Sequence, residues 1–187
     1  STLDGTLFPY TTLFRSHAAC HGVPVVRLPD ALTAAAVPAE AVMLHVLDEL
    51  ASAGEPPDYL VLLAPQAPLR RPGRVEAACT AIRAAGADSL LSVCPEPLLV
   101  WRASPGGLVP FYDPADRPPR HGGGPDWLRE NGSIYVSACA GFRRARNRLF
   151  GRLETLAMDR AESVRVDDPE GLAVCRALLS RVRPEAR

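Results

Sequence analysis

The stretch that decides the fold is Asp58-Tyr59-Leu60-Val61-Leu62-Leu63-Ala64-Pro65, in which every residue from Tyr59 to Ala64 is apolar. A run without polar alternation suits a strand buried on both faces, as in a parallel sheet. Upstream lies PAEAVMLHVLDELASAG (residues 38–54). Val42, Met43, Val46, Leu47 and Leu50 recur there at helical spacing, with Pro38 near the start and Gly54 beyond the end. Downstream, RPGRVEAACTAIRAAGA (residues 71–87) predicts a second helix, with Val75, Ala78, Cys79, Ile82 and Ala85 as its stripe and Gly86 as its cap. DSLLSVC (residues 88–94) then reads as another strand. Strands alternating with helices imply an α/β layer fold with a largely parallel sheet.

The outer segments extend this pattern. The β-branched residues of HGVPVVRLP (residues 21–29) predict a short strand over Val23–Val26 that ends at Pro29. GSIYVSA (residues 132–138) is expected as a strand, Phe142–Leu156 as a helix, and SVRVDD (residues 163–168) as a short strand with period-two alternation. DPEGLAVCRALLSRV (residues 168–182) predicts a closing helix with Asp168 as N-cap and Pro169 in the first turn. Its buried stripe is expected to be Leu172, Cys175, Leu178, Leu179 and Val182. Residues 103–127 are dense in Pro, Gly, Asp and Arg and read as a long loop or protruding arm, with Gly122–Gly124 as a hinge. Ligands of such sheets sit beyond the carboxyl ends of the strands, which directs attention to residues 64–70 and to Asp167.

Composition narrows the chemistry. The chain has 187 residues and a formal net charge of zero, so no global field draws in nucleic acid or anionic lipid. Every one of its 21 basic residues is arginine, which removes a lysine Schiff base and a P-loop lysine. The 5 cysteines form no C-x-x-C pair and read as small buried residues of a reducing, cytoplasmic environment. No apolar run approaches the roughly 18 residues that span a bilayer. The four histidines are scattered, and His45, within the first helical pattern, reads as a packed or half-exposed side chain. The run Arg143–Arg148 reads as a solvated charged face.

The segment TLFPYTTLFRS (Thr6–Ser16) fits neither period, and its Thr, Phe and Tyr depart from the Ala/Arg/Pro/Val usage elsewhere. It is residue for residue the translation of a DNA string that resembles a common sequencing adapter. Residues 1–16 are therefore expected to be non-native and are set aside from fold reasoning, leaving 17–187 as one partial domain.

Four blocks, in order, carry a family resemblance. LLAPQAPLR (residues 62–70) resembles the LLQPTSPLR element of the acylneuraminate cytidylyltransferases, the group that also includes CMP-Kdo synthetases and pseudaminate cytidylyltransferases. ADSLLSV (87–93) resembles that family's ADSVVSV strand, ENGSIYV (130–136) its NGAIYI strand, and SVRVDDPEGL (163–172) its SVDIDTPEDF ending. The resemblance implies a three-layer, Rossmann-like nucleotidyltransferase fold with a mainly parallel sheet. The implied reaction transfers CMP from CTP to a 2-keto sugar acid, nonulosonic or ulosonic, by in-line attack of the anomeric hydroxyl, with Mg²⁺ and cationic clamps neutralising charge.

The resemblance also implies residue roles. Arg70 matches the arginine of PLR and is placed to orient an anion, or to fix its loop by a salt bridge. Arg120 matches the arginine that meets the sugar carboxylate, a group a guanidinium binds bidentately. Asn131 and Tyr135 match the asparagine and tyrosine of NGAIY, Tyr135 toward the sugar and Asn131 toward the sugar or a turn. Phe150 falls where the family sets apolar residues against the acyl group, or else packs in the core. Asp167 matches the second aspartate of SVDID and is the implied Mg²⁺ ligand. Three departures accompany these matches. Arg165 stands where the first aspartate would be, Ala64 replaces the glutamine, and Gln66-Ala67 replace Thr-Ser.

The family begins with a strand and a glycine-, arginine- and lysine-bearing loop for the CTP phosphates. Nothing in residues 1–19 resembles these, so the chain is expected to lack the first strand and the nucleotide loop, and to be poorly stable and inactive. The arm around residues 103–127 implies a homodimer, with Trp101, Phe111, Tyr112 and Trp127 as anchors. Two alternatives stand beside the enzyme: a degenerate, non-catalytic member acting as a binding or interaction module, and a nucleotidyltransferase for a sugar phosphate.

Overall fold

The computed structural model describes residues 16, 18–23, 25–34, 36–54, 56–96, 99–117 and 127–182. Arg120, the Gly122–Gly124 stretch and the adapter-like segment before residue 16 lie outside the described residues. The chain divides into two compact units, one formed within Ser1–Leu60 and Ala138–Phe150, the other within Val61–Ser137 and Gly151–Arg187.

In the first unit, helix α1 (Ala39–Ser52) buries Met43 and Leu47, two members of the expected stripe. His45 is half-buried and its Nε2 donates to the Arg27 carbonyl at 3.2 Å, as a packed histidine would. Among the described residues of 21–29 there is no strand; Val23 and Val25 are exposed, and Pro24 and Pro29 leave few N–H groups in register for a ladder. The short segment after residue 138 buries Cys139 and Phe142. It is tied to α1 by Arg143 to Asp48 and by Arg148 Nε to Glu40 Oε1 at 3.0 Å.

The sheet contains strands β1 (Tyr59–Leu63), β2 (Ser89–Pro95), β5 (Leu128–Ala138) and β6 (Leu153–Ala157), in the order β1-β5-β2-β6. It is a mixed sheet: β5 runs antiparallel to β2, and β6 runs parallel to it. The expectation of a mainly parallel sheet is corrected at β5, the GSIYVSA block. Helix α2 (Arg74–Ala85) lies where the sequence places it and ends at Gly86 in the left-handed region, φ +58°. Ala78 and Ile82 of α2 pack with Leu90, Ile134, Val136 and Met158 in the core of the second unit.

Two further expectations are corrected. The helix expected over Phe142–Leu156 is two elements: a seven-residue helix α3 (Cys139–Ala145), then strand β6. Arg146 turns into the left-handed region at φ 51° and Gly151 at φ 61°, which ends the helix before the apolar spacing runs out. Asp88 holds the re-entry, its Oδ2 accepting from the Arg152 N–H at 2.8 Å. SVRVDD forms no strand, although Val166 N–H donates to the Gln66 carbonyl at 2.8 Å.

Helix α4 (Pro169–Val182) follows, capped by Asp168, whose Oδ1 accepts from the Gly171 N–H at 2.6 Å. Of its expected stripe, Cys175 is buried, Leu178 half-buried, and Leu172 and Leu179 exposed.

The arm begins as a β-hairpin, β3 (Trp101–Ser104) with β4 (Gly107–Pro110), turned at Pro105-Gly106. The Trp101 Nε1–H donates to the Tyr112 hydroxyl at 3.0 Å, and the two rings meet edge to face. Among the described residues no helix is long and apolar enough to cross a membrane, and the five cysteines are free.

Candidate functional site

The site grows from an irregularity in β5. Leu91 pairs with Tyr135 and Val93 with Glu130, so one residue of β2, Ser92, faces four of β5, Asn131–Ile134. The extra residues form a bulge, a device that re-aims side chains and backbone at sheet ends. Gly132 supplies the left-handed backbone it needs, φ +68°.

Side chains from neighbouring elements hold this bulge. Ser92 Oγ donates to Asn131 Oδ1 at 2.6 Å and accepts from the Ile134 N–H at 2.8 Å. Asn131 Oδ1 also accepts from the Ser133 N–H at 3.1 Å, and its Nδ2 donates to Ser163 Oγ at 3.0 Å and to Met158 Sδ at 3.5 Å. Asn131 is 1% exposed and its amide is fully engaged. Asn131 therefore fixes the bulge, with its amide oxygen and nitrogen both spent on bonds within the chain.

The carbonyls pushed out by the bulge meet two guanidiniums. Arg70 follows β1, and its Nη2 donates to the Ser133 carbonyl at 3.0 Å and to the Ala64 carbonyl at 3.2 Å. Its Nε donates to Ser133 Oγ at 3.2 Å. All three partners are neutral, and no carboxylate lies within ion-pair distance of Arg70 among the described residues. Burial pulls this guanidinium below its ordinary value, with no nearby charge to offset it. The Nη1 group makes none of these bonds, so the half-buried cation keeps donors for a further acceptor. Arg70 thus ties its loop to β5 by hydrogen bonds, with no salt bridge among the described residues.

Arg165 approaches the adjacent carbonyl, Nη1 donating to Gly132 O at 3.3 Å. Its Nε and Nη2 fork onto Asp167, at 2.8 Å to Oδ2 and 3.0 Å to Oδ1. This hydrogen-bonded pairing raises the Arg165 pKa and holds the Asp167 carboxyl below its ordinary range. Both Asp167 oxygens are thus taken by a cation already in the chain. Among the described residues no group of three or more His, Cys, Asp or Glu side chains could hold a metal ion. The Asp167 carboxylate does not fit the Mg²⁺ role that the resemblance implies, since a hard divalent ion needs several free oxygen ligands.

Tyr135 is buried beside this cluster, and its hydroxyl donates to Glu130. A Cβ added to Gly132 would run into Arg165 Nη1 and come within 3.8 Å of the Tyr135 hydroxyl. Arg70, Arg165, Asp167 and Tyr135 are thus gathered around Gly132-Ser133. Phe150 belongs to the other unit, where its ring lies on Gly141 so closely that a Cβ there would collide with it. That contact packs the ring within its own unit. Arg120 lies outside the described residues.

Sequence reasoning missed Ser92, Ser133 and the stabilising part of Arg165. A glycine inside an apolar strand is a signal for a bulge, and Gly132-Ser133 within ENGSIYV carries it. It also missed Glu162, 1% exposed, which receives Arg74 Nε at 2.8 Å and Nη2 at 2.5 Å and the Arg71 N–H at 3.1 Å.

Comparison with protein-family models finds no match for this chain, and comparison with curated proteins finds none.

Proposed function

We propose that the chain binds a 2-keto sugar acid of the sialic-acid type, the acceptor in a cytidylyltransferase-like transfer of CMP from CTP, with Arg70 receiving the acid's carboxylate. The observation that carries this reading is the Arg70 guanidinium. It is half-buried, held in place by neutral oxygens, and has no carboxylate partner among the described residues, which is the electrostatic state that suits an anionic ligand. In the transfer, the anomeric oxygen would form a bond to the CTP α-phosphorus as the bond to pyrophosphate breaks and the hydroxyl proton leaves. Arg70 would contribute by holding the acceptor, a matter of positioning.

One observation favours the second reading, a module that binds the sugar acid without turnover. Asp167 is engaged by Arg165 rather than open to a cation. Calorimetry with N-acetylneuraminic acid and a pyrophosphate-release assay with CTP separate the two. Binding that Arg70→Met weakens about tenfold or more, the scale of one charge-assisted hydrogen bond, supports the site. Sugar-dependent pyrophosphate release supports the enzyme, and its absence alongside binding supports the module. No binding, or binding indifferent to Arg70→Met, refutes the site.

The hairpin supports the proposed homodimer. Leu108 is 68% exposed and Phe111 54%, apolar surface of the kind that anchors interfaces. Sedimentation equilibrium of the whole chain against Phe111→Ser tests it; a wild-type monomer refutes it.

A further inference from the structure

We infer that Arg165, rather than a divalent cation, occupies the Asp167 carboxylate and offers fixed guanidinium donors beside Arg70 at the β5 bulge, so that anion binding at this site is independent of metal. The inference rests on the reading above that Arg70 receives an anion. Its own ground is the geometry of Arg165. Three of the five guanidinium donors are spoken for: two on Asp167 and one on the Gly132 carbonyl. The remaining donors belong to Nη1 and Nη2 of a guanidinium whose orientation is fixed from both sides.

The bulge is shaped to admit this group. Gly132 has no Cβ, and the space a Cβ would need is filled by Arg165 Nη1. Its left-handed backbone presents the carbonyl that Nη1 meets. One residue further on, Ser133 presents its carbonyl to Arg70. Two guanidiniums are therefore anchored on consecutive carbonyls, and one of them, Arg70, has no carboxylate within ion-pair distance among the described residues. A divalent ion at Asp167 would have to break a bidentate fork and would then find no group of further carboxylates among the described residues. A guanidinium needs no such shell; it is a permanent planar cation suited to carboxylate or phosphate oxygens. Asp167 acts here as a positioning residue, setting the plane of Arg165.

The test uses the whole chain and has two arms. In the metal arm, Mn²⁺ is added and paramagnetic broadening of the Val166, Asp167 and Asp168 backbone amides is followed by NMR. No selective broadening is expected, and selective broadening there overturns the inference whether or not a sugar binds. In the anion arm, N-acetylneuraminic acid is titrated in EDTA and in millimolar Mg²⁺. The two affinities are expected to agree within about twofold. Arg165→Met is expected to weaken binding about tenfold in both buffers, with Arg165→Lys recovering part of the loss and both variants retaining the wild-type fold by circular dichroism. A Mg²⁺-dependent gain of about tenfold or more, lost in Asp167→Asn, overturns the inference while leaving the Arg70 reading intact. Absence of sugar binding in either buffer overturns the Arg70 reading, and this inference with it.

Discussion

Replacing Asn131 by alanine separates a structural asparagine from a ligand-binding one. The substitution removes the acceptor of the Ser92 O–H and of the Ser133 N–H, and both groups belong to buried residues. Each buried donor left without a partner costs about 1–3 kcal/mol. The Ser163 hydroxyl loses a donor but still gives its own proton to the Asp159 carbonyl at 2.7 Å, so its share is smaller. The expected destabilisation is therefore about 3–4 kcal/mol, a large part of the roughly 5–15 kcal/mol that holds a domain folded. With a urea slope of about 2 kcal/mol/M, the midpoint should fall by about 1.5–2 M.

The assay is urea unfolding followed by circular dichroism, on the wild type, Asn131→Ala, Ser92→Ala and the double variant. Because Ser92 and Asn131 share a bond, the double variant should cost less than the sum of the singles by about 1 kcal/mol. A loss below about 1 kcal/mol for Asn131→Ala would refute the account of the bulge and return Asn131 to the substrate side.

Two further outcomes are expected. Glu162→Gln should destabilise by about 3 kcal/mol, because it breaks a buried pair with Arg74 from one side. Burial alone would raise the Glu162 pKa, but the Arg74 hydrogen bond and the Arg71 and Asp159 backbone groups lower it on balance. The stability this gives is present above the ordinary carboxylate value and is lost as pH falls through the lowered one. The gap in melting temperature between wild type and Glu162→Gln should therefore close below about pH 4, and a gap constant with pH would contradict the assignment. Gly132→Ala should cost about 1–3 kcal/mol through its left-handed backbone and dislodge Arg165. A slowly exchanging Arg165 Nε–H signal that survives this change would show that the glycine is not needed for the approach.

How far the sequence discloses this fold depends on whether local and tertiary signals agree. Helix α2 was legible because its apolar stripe, its length and Gly86 all say the same thing. Strand β6 was not, because Phe142, Leu149, Phe150, Leu153 and Leu156 keep a helical spacing across a break set by Arg146 and Gly151. SVRVDD alternates as a strand should, yet alternation predicts which side faces in and not whether a neighbour offers a ladder. The antiparallel run of β5 is a topological fact that no local pattern encodes. At the site, the place of Arg70 just beyond β1 was legible from the apolar run, but that run did not make a strand buried on both faces: β1 lies at the sheet edge with Tyr59 and Leu63 exposed. The engagement of Asp167 was not legible, since the sequence sets Arg165 two residues away without fixing the rotamer that turns its guanidinium onto the carboxylate.

The one-against-four mismatch between Ser92 and Asn131–Ile134 makes the site a matter of chain length as much as of composition. Excising three residues there would let β2 and β5 zip without interruption, and such a protein could keep its sheet while forfeiting both carbonyl perches. That excision keeps Glu130 opposite Val93, whereas removing two or four residues would turn Leu128–Glu130 over to the opposite side of the sheet. Insertions and deletions, rather than point changes, are thus the quickest route by which descendants of this chain would gain or shed the paired perches of Arg70 and Arg165.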